Sequence, residues 1–475
     1  MKQTSPKDSS KVVPQTPTAQ SNKPNVVYFL VDNLGMGELS SYTGGALRGT
    51  TTTRIDAFAQ EGMMLLNFAP ETQCTPSRSA LMTGRYSIRS GNQSVAMVGR
   101  ESGLVQWERT LGDVFSDAGY ATSIVGKWHI GDSEGRWPTD HGFDEWYGIP
   151  RSYDECLWAD DPWYDPKRDP VTHVLESRKG QPVQELEQLT VEVRRDIDVE
   201  YMKRAKDFLK RSTEAGKPFF LYFNYSMLHL PTIPRAEFKG KTGHGDWADS
   251  LLEMDTDFGT LLDYLKSLGV DNNTIIVFSG DNGPEELAPW RGTAGYFDGS
   301  YFTGMEGSLR TPAIVRYPGH VPAGQKSNEI VHITDLFTTL VLWAGLEVPK
   351  DRVIDGVDQR AFLEAKQTTS NREGFLYWMG DTLFGVKWRN FKMVLVLQKT
   401  LSDPALHLTT PHLINLDTDP KEREPYDYPY IHTWVLAHTM RLAAEYQGSL
   451  RREPLIPVGA PLDYVPKQKP SLSAA

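Results

Sequence analysis

The residues best suited to do chemistry lie in the run CTPSR, from Cys74 to Arg78. Thr75 is a suitable N-cap and Pro76 suits the first helical position, so the run predicts a helix start, with Gly84 able to end the helix. A helix N-terminus favours an anion, and Arg78 adds a cationic fork suited to tetrahedral oxyanions. The run therefore predicts a nucleophile beside a sulfate or phosphate. The plainer alternative is a buried structural cysteine before an ordinary helix.

Two pairs of oxygen donors follow apolar runs that are far apart in the chain. Asp32 and Asn33 follow the first run, and Asp281 and Asn282 follow another. Open α/β sheets carry ligand sites at the carboxyl ends of their strands. Two carboxylates and two amide oxygens suit a hard cation, Ca²⁺ or Mg²⁺. Each pair taken alone is more simply explained as a turn after a strand.

Three more polar residues follow predicted strands. Lys127 and His129 are two positions apart, which on an extended segment places both side chains on one face. His229 follows the strongly apolar run PFFLYFNY. A Lys-x-His pair is weak evidence of function, and a lone histidine in an apolar context is more often structural.

Together these segments resemble the type I sulfatases of the alkaline phosphatase superfamily. CTPSR followed by SALMTGR is similar to the signature of that family, as are GKWH at 126–129 and HLINLDTDP at 412–420. The resemblance implies that a formylglycine-generating enzyme oxidises Cys74 to formylglycine, whose hydrated aldehyde is the nucleophile. It also implies a metal site, with Ca²⁺ expected and Mg²⁺ as the alternative, formed by Asp32, Asn33, Asp281, Asn282 and the formylglycine at position 74.

The same resemblance assigns the remaining catalytic roles. Arg78 and Lys127 would hold the sulfate, and His229 would protonate the departing oxygen. His129 would take a proton from the second hydroxyl of the nucleophile. The implied reaction is hydrolysis of a small-molecule sulfate monoester, with aryl sulfates as the expected class.

Two departures from the family pattern bear on this site. Position 33 is Asn, whereas most members have Asp, so the metal site has one negative charge fewer and should be weaker. The segment 301–305 lacks a lysine that the family uses to bind sulfate and assist the leaving group. Arg291, next to Trp290, is a candidate replacement, and both are candidate substrate-binding residues. Without a replacement His229 would act alone as the acid, which suits phenols better than sugars or alkyl alcohols.

Composition excludes some classes of partner. The net charge of −11 argues against nucleic acid, which requires clustered Lys and Arg. No apolar run is long enough to predict a membrane span. Residues 1–24 are polar without an apolar signal-peptide region, which predicts a cytoplasmic protein as written, or a periplasmic or secreted one if a leader was removed. Two cysteines cannot form a disulfide framework, so Cys156 is predicted to be a plain packed thiol. Nothing indicates the oligomeric state.

Strands that alternate with helices predict an α/β fold, with a large, mostly parallel, doubly wound sheet flanked by helices. Closely spaced strands near the C-terminus predict a smaller antiparallel sheet with a packed helix. The predicted units are a polar tail (1–24), a catalytic domain (25–365) with a loop-rich insertion (132–190), an α+β subdomain (366–460) and a tail (461–475). The predicted helices lie near 54–64, 110–119, 191–211, 247–268 and 431–449.

Three alternatives to the sulfatase interpretation stay open at this stage. A phosphonate monoester or phosphodiester hydrolase of the same superfamily would use the same residues. A thiol hydrolase would use Cys74 itself and would not need a metal. A non-catalytic anion-binding protein would result if Cys74 is never oxidised.

Overall fold

The computed structural model describes residues 23–99, 101–423 and 431–467. Along them the strands are β1 (Asn25–Val31), β2 (Met63–Ala69), β3 (Ala121–Val125), β4 (Glu145–Gly148), β5 (His173–Arg178), β6 (Gln184–Gln188), β7 (Phe219–Tyr225), β8 (Thr274–Gly280), β9 (Thr311–Arg316), β10 (Gln325–Ser327), β11 (Val331–His332), β12 (Gly374–Met379), β13 (Thr382–Trp388), β14 (Phe391–Leu397) and β15 (Leu406–Asn415). The α-helices are α1 (Thr53–Gln60), α2 (Cys74–Thr83), α3 (Leu111–Asp117), α4 (Val191–Glu214), α5 (Asp246–Ser267), α6 (Glu306–Leu309), α7 (Ile333–Trp343), α8 (Arg360–Leu363) and α9 (Val435–Arg452).

The larger sheet has eleven strands in the order β10-β2-β9-β8-β1-β7-β3-β4-β5-β6, with β11 also beside β2. Its centre, from β8 to β4, is parallel, whereas β9, β5 and β6 join antiparallel. β1 lies in the middle, and its last residue, Val31, is in register with Tyr225 of β7 and Gly280 of β8. The carboxyl ends of these neighbouring strands therefore open on one edge of the sheet.

Helices cover both faces of this sheet because its central strands are apolar on both sides. In β1, Tyr28 and Leu30 belong to the core that includes residues of α2, α3 and α7. Phe29 and Val31 belong to the opposite core, with residues of α1, α4 and α5. Near-continuous apolar strands are typical of buried parallel sheets. The predicted doubly wound α/β fold is confirmed.

The second sheet is four-stranded and antiparallel, in the order β12-β13-β14-β15, with α9 packed on it, as predicted. Two fully buried lysines attach it to the main domain. Lys387 Nζ lies 2.6 Å from Glu306 Oε2, and Lys392 Nζ lies 2.6 Å from Glu422 Oε1. The backbone N–H of Glu306 in turn donates to Glu422 Oε2 at 2.6 Å. The two sheets are thus joined through buried ion pairs.

Two predicted boundaries were wrong. The helix predicted over 54–64 ends at Gln60, because Met63 and the residues after it pair with β9 instead. The N-cap of α2 is Gln73 rather than Thr75, so the helix begins one residue before the predicted cap. The stretch 132–190, predicted to be a loop-rich insertion, also contains β4, β5 and β6, which extend the main sheet.

The two predicted tails lie partly outside the described residues, which exclude 1–22 and 468–475. Residues 461–467 are described, and the backbone N–H of Gln106 donates to the carbonyl of Leu462 at 3.0 Å. Tyr464 packs against the small core that includes Ile456. Both cysteines are free and buried, in agreement with the prediction for Cys156. Among the described helices, none has the length and apolar character that a bilayer crossing requires.

Gly84 ends α2 in the left-handed conformation, with φ +69°. A Cβ at this position would lie 2.5 Å from the ring of Phe337 in α7. Gly119 has φ +83°, and no atom of the described residues lies within 4 Å of such a Cβ, so it is a matched control for the backbone conformation alone. We expect Gly119→Ala to destabilise the fold by about 1 kcal/mol and Gly84→Ala by clearly more. Thermal unfolding of both variants measures this, and equal losses would exclude the clash with Phe337.

Glu71 precedes α2 and is buried, with the backbone N–H of Ser87 donating to its Oε1 at 3.2 Å. Burial raises its pKa to about 8. In the unfolded chain Glu71 loses its proton near the ordinary glutamate pKa of about 4.3, whereas the folded protein keeps that proton up to about pH 8. Glu71 therefore makes the free energy of unfolding fall as the pH rises from about 4.3 to about 8.

We expect Glu71→Gln to remove that part of the pH dependence and to stabilise the protein above pH 8. Unfolding temperatures measured from pH 5 to pH 9 test this, with the exposed Glu185→Gln as control. A slope unchanged in Glu71→Gln would contradict the assignment.

Candidate active site

The edge where β1 and β8 end brings the two predicted donor pairs together. Asp32, Asn33, Asp281 and Asn282 are all completely buried. The backbone N–H of Asn33 donates to Asp281 Oδ1 at 3.0 Å, and Asn282 Nδ2 donates to Asn33 Oδ1 at 2.6 Å. The parallel register of β1 and β8 accounts for this meeting, since it aligns the last residues of the two strands.

Cys74 is the first residue of α2 and lies against this cluster. Its Sγ is 3.6 Å from Asp32 Oδ1 and 3.9 Å from Asn33 Oδ1. Burial raises the pKa of the Cys74 thiol well above its ordinary value, with Asp32 and Asp281 adding to the shift against the opposing effect of Lys127. The thiol is therefore protonated at neutral pH, which weakens the alternative of a thiol nucleophile.

Two buried cations face the same carboxylates. Arg78 Nη2 lies 3.2 Å from Asp32 Oδ2 and 2.9 Å from Asp281 Oδ2, while Nη1 donates to Asn224 Oδ1 at 2.8 Å. Lys127 Nζ lies 2.9 Å from Asp32 Oδ2. Burial opposes the ionisation of Asp32, but Lys127, His229 and Arg78 outweigh it and lower its pKa. The cluster therefore combines a permanent positive fork with two ionisable oxygen donors.

His129 is buried beside these cations with both ring nitrogens lacking a hydrogen-bond partner among the described residues. Its φ of +61° is unusual for a residue that is not glycine, and Thr75 Oγ1 donates to its carbonyl at 2.8 Å. Burial, with help from Lys127 and Arg78, lowers its pKa well below the ordinary value. His129 is thus a neutral imidazole with an open nitrogen, able to accept a proton.

His229 has one ring nitrogen occupied and the other directed at a hydroxyl. Its Nδ1 lies 2.8 Å from the carbonyl of Leu230, so Nδ1 carries the hydrogen. Its Nε2 lies 3.2 Å from Ser152 Oγ. Ligand atoms of Asp32, Cys74 and His229 all lie within 4.8 Å of one another. Nε2 is therefore the nitrogen that can exchange a proton beside position 74.

The donor set fits a divalent cation. Asn282 Oδ1 is buried and lacks a partner among the described residues, although its amide nitrogen is hydrogen-bonded. Two carboxylates and two amide oxygens are the hard donors that Ca²⁺ and Mg²⁺ prefer. An unpartnered carbonyl oxygen at the meeting point of the strands is the acceptor that such an ion would use.

The two tentative substrate-binding residues lie in the loop after Asn282. Arg291 is exposed, its Nε donates to the carbonyl of Glu286 at 3.2 Å, and its own carbonyl accepts from Arg48. Trp290 is half-buried. These contacts do not join Arg291 to the Cys74 cluster among the described residues, so a role in substrate binding stays a prediction.

Sequence reasoning missed three residues at the site. Asn224 could have been found, because it is the one amide in the apolar run PFFLYFNY. Ser152 lies in a loop that carries no pattern, and Glu285 looks like an ordinary loop residue after Asn282. Their positions depend on which loops meet at the sheet edge.

Comparisons with known proteins agree with this geometry. A family model described as Sulfatase matches residues 24–346, and one described as N-sulphoglucosamine sulphohydrolase, C-terminal, matches residues 292–432. The chain belongs to the sulfatase family. It is accordingly a sulfuric ester hydrolase with the family fold, and sulfatases generally use formylglycine and a divalent metal.

This sulfatase is similar to several characterised members. N-acetylgalactosamine-6-sulfatase of Canis lupus familiaris is 33% identical over 439 residues, covering 85% of this chain and 82% of that protein. Arylsulfatase A of Bos taurus is 32% identical over 429 residues, covering 85% and 83%. Among solved structures, the PsFucS1 sulfatase from Pseudoalteromonas sp. has a TM-score of 0.87 and 30% identity, covering 92% of this chain and 93% of that one.

Replacing Arg78 by lysine tests the importance of the guanidinium fork. Lysine keeps the charge but cannot contact Asp32, Asp281 and Asn224 at once. We expect Arg78→Lys to lower kcat/KM for sulfate ester hydrolysis by at least about a hundredfold. Arg372→Lys, which disturbs the buried pair with Asp335, is the control for loss of a buried arginine. Equal activity per folded molecule in the two variants would contradict the assignment.

Proposed function

We propose that this sulfatase hydrolyses aryl sulfate monoesters, using a formylglycine made from Cys74 and a divalent cation, Ca²⁺ or Mg²⁺. The observation that carries the proposal is the buried cluster in which Arg78 and Lys127 meet Asp32 next to Cys74 Sγ. It supports an oxyanion site built around the side chain of position 74. The proposal requires a formylglycine-generating enzyme as the maturation partner.

Position 74 and the cation would supply the chemistry that the other side chains cannot. The oxidised side chain supplies a hydrated aldehyde as the attacking oxygen, which the buried, protonated thiol does not offer. The cation, when bound, supplies positive charge that polarises a sulfate oxygen. Asp32, Asn33, Asp281 and Asn282 would hold it together with position 74.

The buried cations of the chain would bind the substrate. Arg78 and Lys127 are oriented by Asp32, Asp281 and Asn224. Arg78 Nε lacks a partner among the described residues, so this N–H would already be in place when a sulfate arrives. Donors that need no reorganisation stabilise developing charge far better than solvent does. We assign them to the sulfate oxygens.

The two histidines would move the protons. His229 offers Nε2 beside position 74, with Nδ1–H held by the carbonyl of Leu230, so its imidazolium form would protonate the leaving-group oxygen from Nε2. His129 is neutral with open ring nitrogens, so it would accept a proton from the hydroxyl of position 74. Burial and Lys127 lower the pKa of both histidines, so this division rests on their contacts. Nδ1 of His229 is held by the carbonyl of Leu230, whereas both ring nitrogens of His129 lack a partner among the described residues.

An aryl leaving group is proposed because the site has few groups that can protonate the departing oxygen. The segment 301–305 contains no lysine, and the contacts of Arg291 are with Glu286 and Arg48. With His229 as the sole proton donor, a phenol leaves more readily than an alkyl or sugar alcohol. Arylsulfatase A is among the similar proteins, as is N-acetylgalactosamine-6-sulfatase, so sugar sulfates are the comparison substrates.

The mass of the peptide that contains position 74, measured beside turnover of 4-nitrophenyl sulfate, tests the proposal. We expect turnover to rise in proportion to the fraction of formylglycine and to vanish in Cys74→Ala. We expect EDTA to abolish turnover and Ca²⁺ or Mg²⁺ to restore it. Cys156→Ala, which removes the other buried thiol, is the control and should keep full activity.

Several outcomes would contradict the proposal. Undiminished hydrolysis by protein that retains the Cys74 thiol, with loss on alkylation, would indicate a thiol hydrolase. Faster turnover of a phosphonate monoester than of any sulfate would indicate the related hydrolase. Stoichiometric sulfate binding without turnover by fully oxidised protein would indicate an anion-binding protein.

A further inference from the structure

Glu285 is a completely buried carboxylate that none of the roles above uses. It lies in the loop that follows Asn282. Its Oε1 accepts from Asn33 Nδ2 at 2.7 Å, and its Oε2 accepts from the backbone N–H of Leu230 at 3.1 Å. Its Oε1 is also 3.9 Å from His229 Nδ1. One side chain thus contacts both the proposed cation site and the segment of the proposed acid.

The contact with Glu285 helps to fix the orientation of the Asn33 amide. An asparagine side chain has one acceptor oxygen and one donor nitrogen, on opposite sides. Because Nδ2 donates to Glu285, Oδ1 is directed to the other side, 3.9 Å from Cys74 Sγ. Asn282 Nδ2 donates to this Oδ1 at 2.6 Å, so Glu285 and Asn282 hold the amide of Asn33 from its two ends.

The second contact of Glu285 is with Leu230, the residue that follows His229. Leu230 provides the backbone N–H for Glu285 and follows His229 directly, while its carbonyl accepts from His229 Nδ1. Both polar groups of Leu230 are therefore held, one by Glu285 and one by the imidazole. The ring of His229 and the amide of Asn33 are positioned relative to each other through a single carboxylate.

We propose that Glu285 is a positioning residue that orients Asn33 Oδ1 toward the divalent cation and anchors the segment that carries His229. Groups that orient metal ligands in this way typically contribute about 10- to 100-fold to metal affinity. The inference rests on the proposed function, because it assumes the cation site.

Calcium binding to EDTA-stripped protein, measured by calorimetry and by the calcium-dependent shift in unfolding temperature, tests this inference without requiring turnover. We expect Glu285→Ala to raise the Kd for Ca²⁺ about 10- to 100-fold. Glu285→Gln should raise it less, because glutamine has one acceptor for the two N–H groups. The exposed neighbour Glu286→Ala is the matched control and should keep the Kd of the parent protein.

A polarity swap separates positioning from general damage to the fold. In Asn33→Asp with Glu285→Gln, the new amide nitrogen can donate to the new carboxylate, and the amide oxygen can accept from the N–H of Leu230. All the hydrogen bonds are then satisfied. Because Asn33→Asp adds a negative charge to the cation site by itself, the single variant Asn33→Asp completes the double-mutant cycle. We expect Asn33→Asp to raise the Ca²⁺ affinity more in the Glu285→Gln background than in the parent protein, which a purely structural defect would not produce.

The outcomes distinguish failure of this inference from failure of the proposed function. A parent protein that binds neither Ca²⁺ nor Mg²⁺ would remove the cation site itself. If the parent protein binds Ca²⁺, and both Glu285→Ala and Glu285→Gln bind it with the same Kd as the parent, only the role of Glu285 is wrong. If Glu285→Ala does not fold, Glu285→Gln and the double variant decide, and equal Kd values in those two would overturn the inference.

Discussion

The structure depends on keeping four charged side chains away from water at one end of a sheet. These are Asp32, Asp281, Arg78 and Lys127, all fully buried, and an isolated buried charge would be strongly destabilising. Their mutual contacts make the burial tolerable and fix the direction of each side chain. Because breaking either pair would leave a charge unpaired, the segments that carry them have little freedom to move. The same constraint orients Arg78 and Lys127 beside Cys74 before any ligand is present.

The backbone around this cluster is held in conformations that residues other than glycine rarely adopt. Asn33, His129 and Phe302 all have φ near +60°. Asn33 and His129 are proposed site residues, and the backbone N–H of Phe302 donates to the carbonyl of Thr72 just before Cys74. Gly126 has φ +101°, and a Cβ there would lie 2.2 Å from the carbonyl oxygen of Asn224. Such strained backbone persists only where the surrounding structure holds it in place. In this protein the strained residues lie around the site.

The smaller sheet contributes to the site indirectly. Lys387 and Lys392 reach across to Glu306 and to the carbonyl of Gly304, close to the segment that approaches Thr72. Buried lysines without such partners would be costly, so the second sheet and this segment stabilise each other. The C-terminal sheet thus helps to hold one wall of the active site, although no proposed catalytic residue lies on it.

Much of the fold and the nature of the site follow from the sequence itself. The apolar runs of β1, β7 and β8 are long and regular, so their existence and parallel packing could be predicted. The residue types after them, together with the CTPSR run, were enough to predict an oxyanion site with a hard cation. Local pattern was less reliable at boundaries, as at Met63, where strand pairing outweighs a helical pattern.

Only the tertiary structure decided which loop residues complete the site. Asp32 and Asp281 could be expected to meet because parallel register aligns the ends of their strands. Glu285 and Ser152 could not be placed, because their loops have no periodic pattern, and their contacts depend on how distant segments pack at that edge. Which ring nitrogen of His229 is free was likewise decided by a neighbouring carbonyl. The sequence determines which reactions the side chains could carry out, whereas the packing of the loops determines which atoms lie in the site.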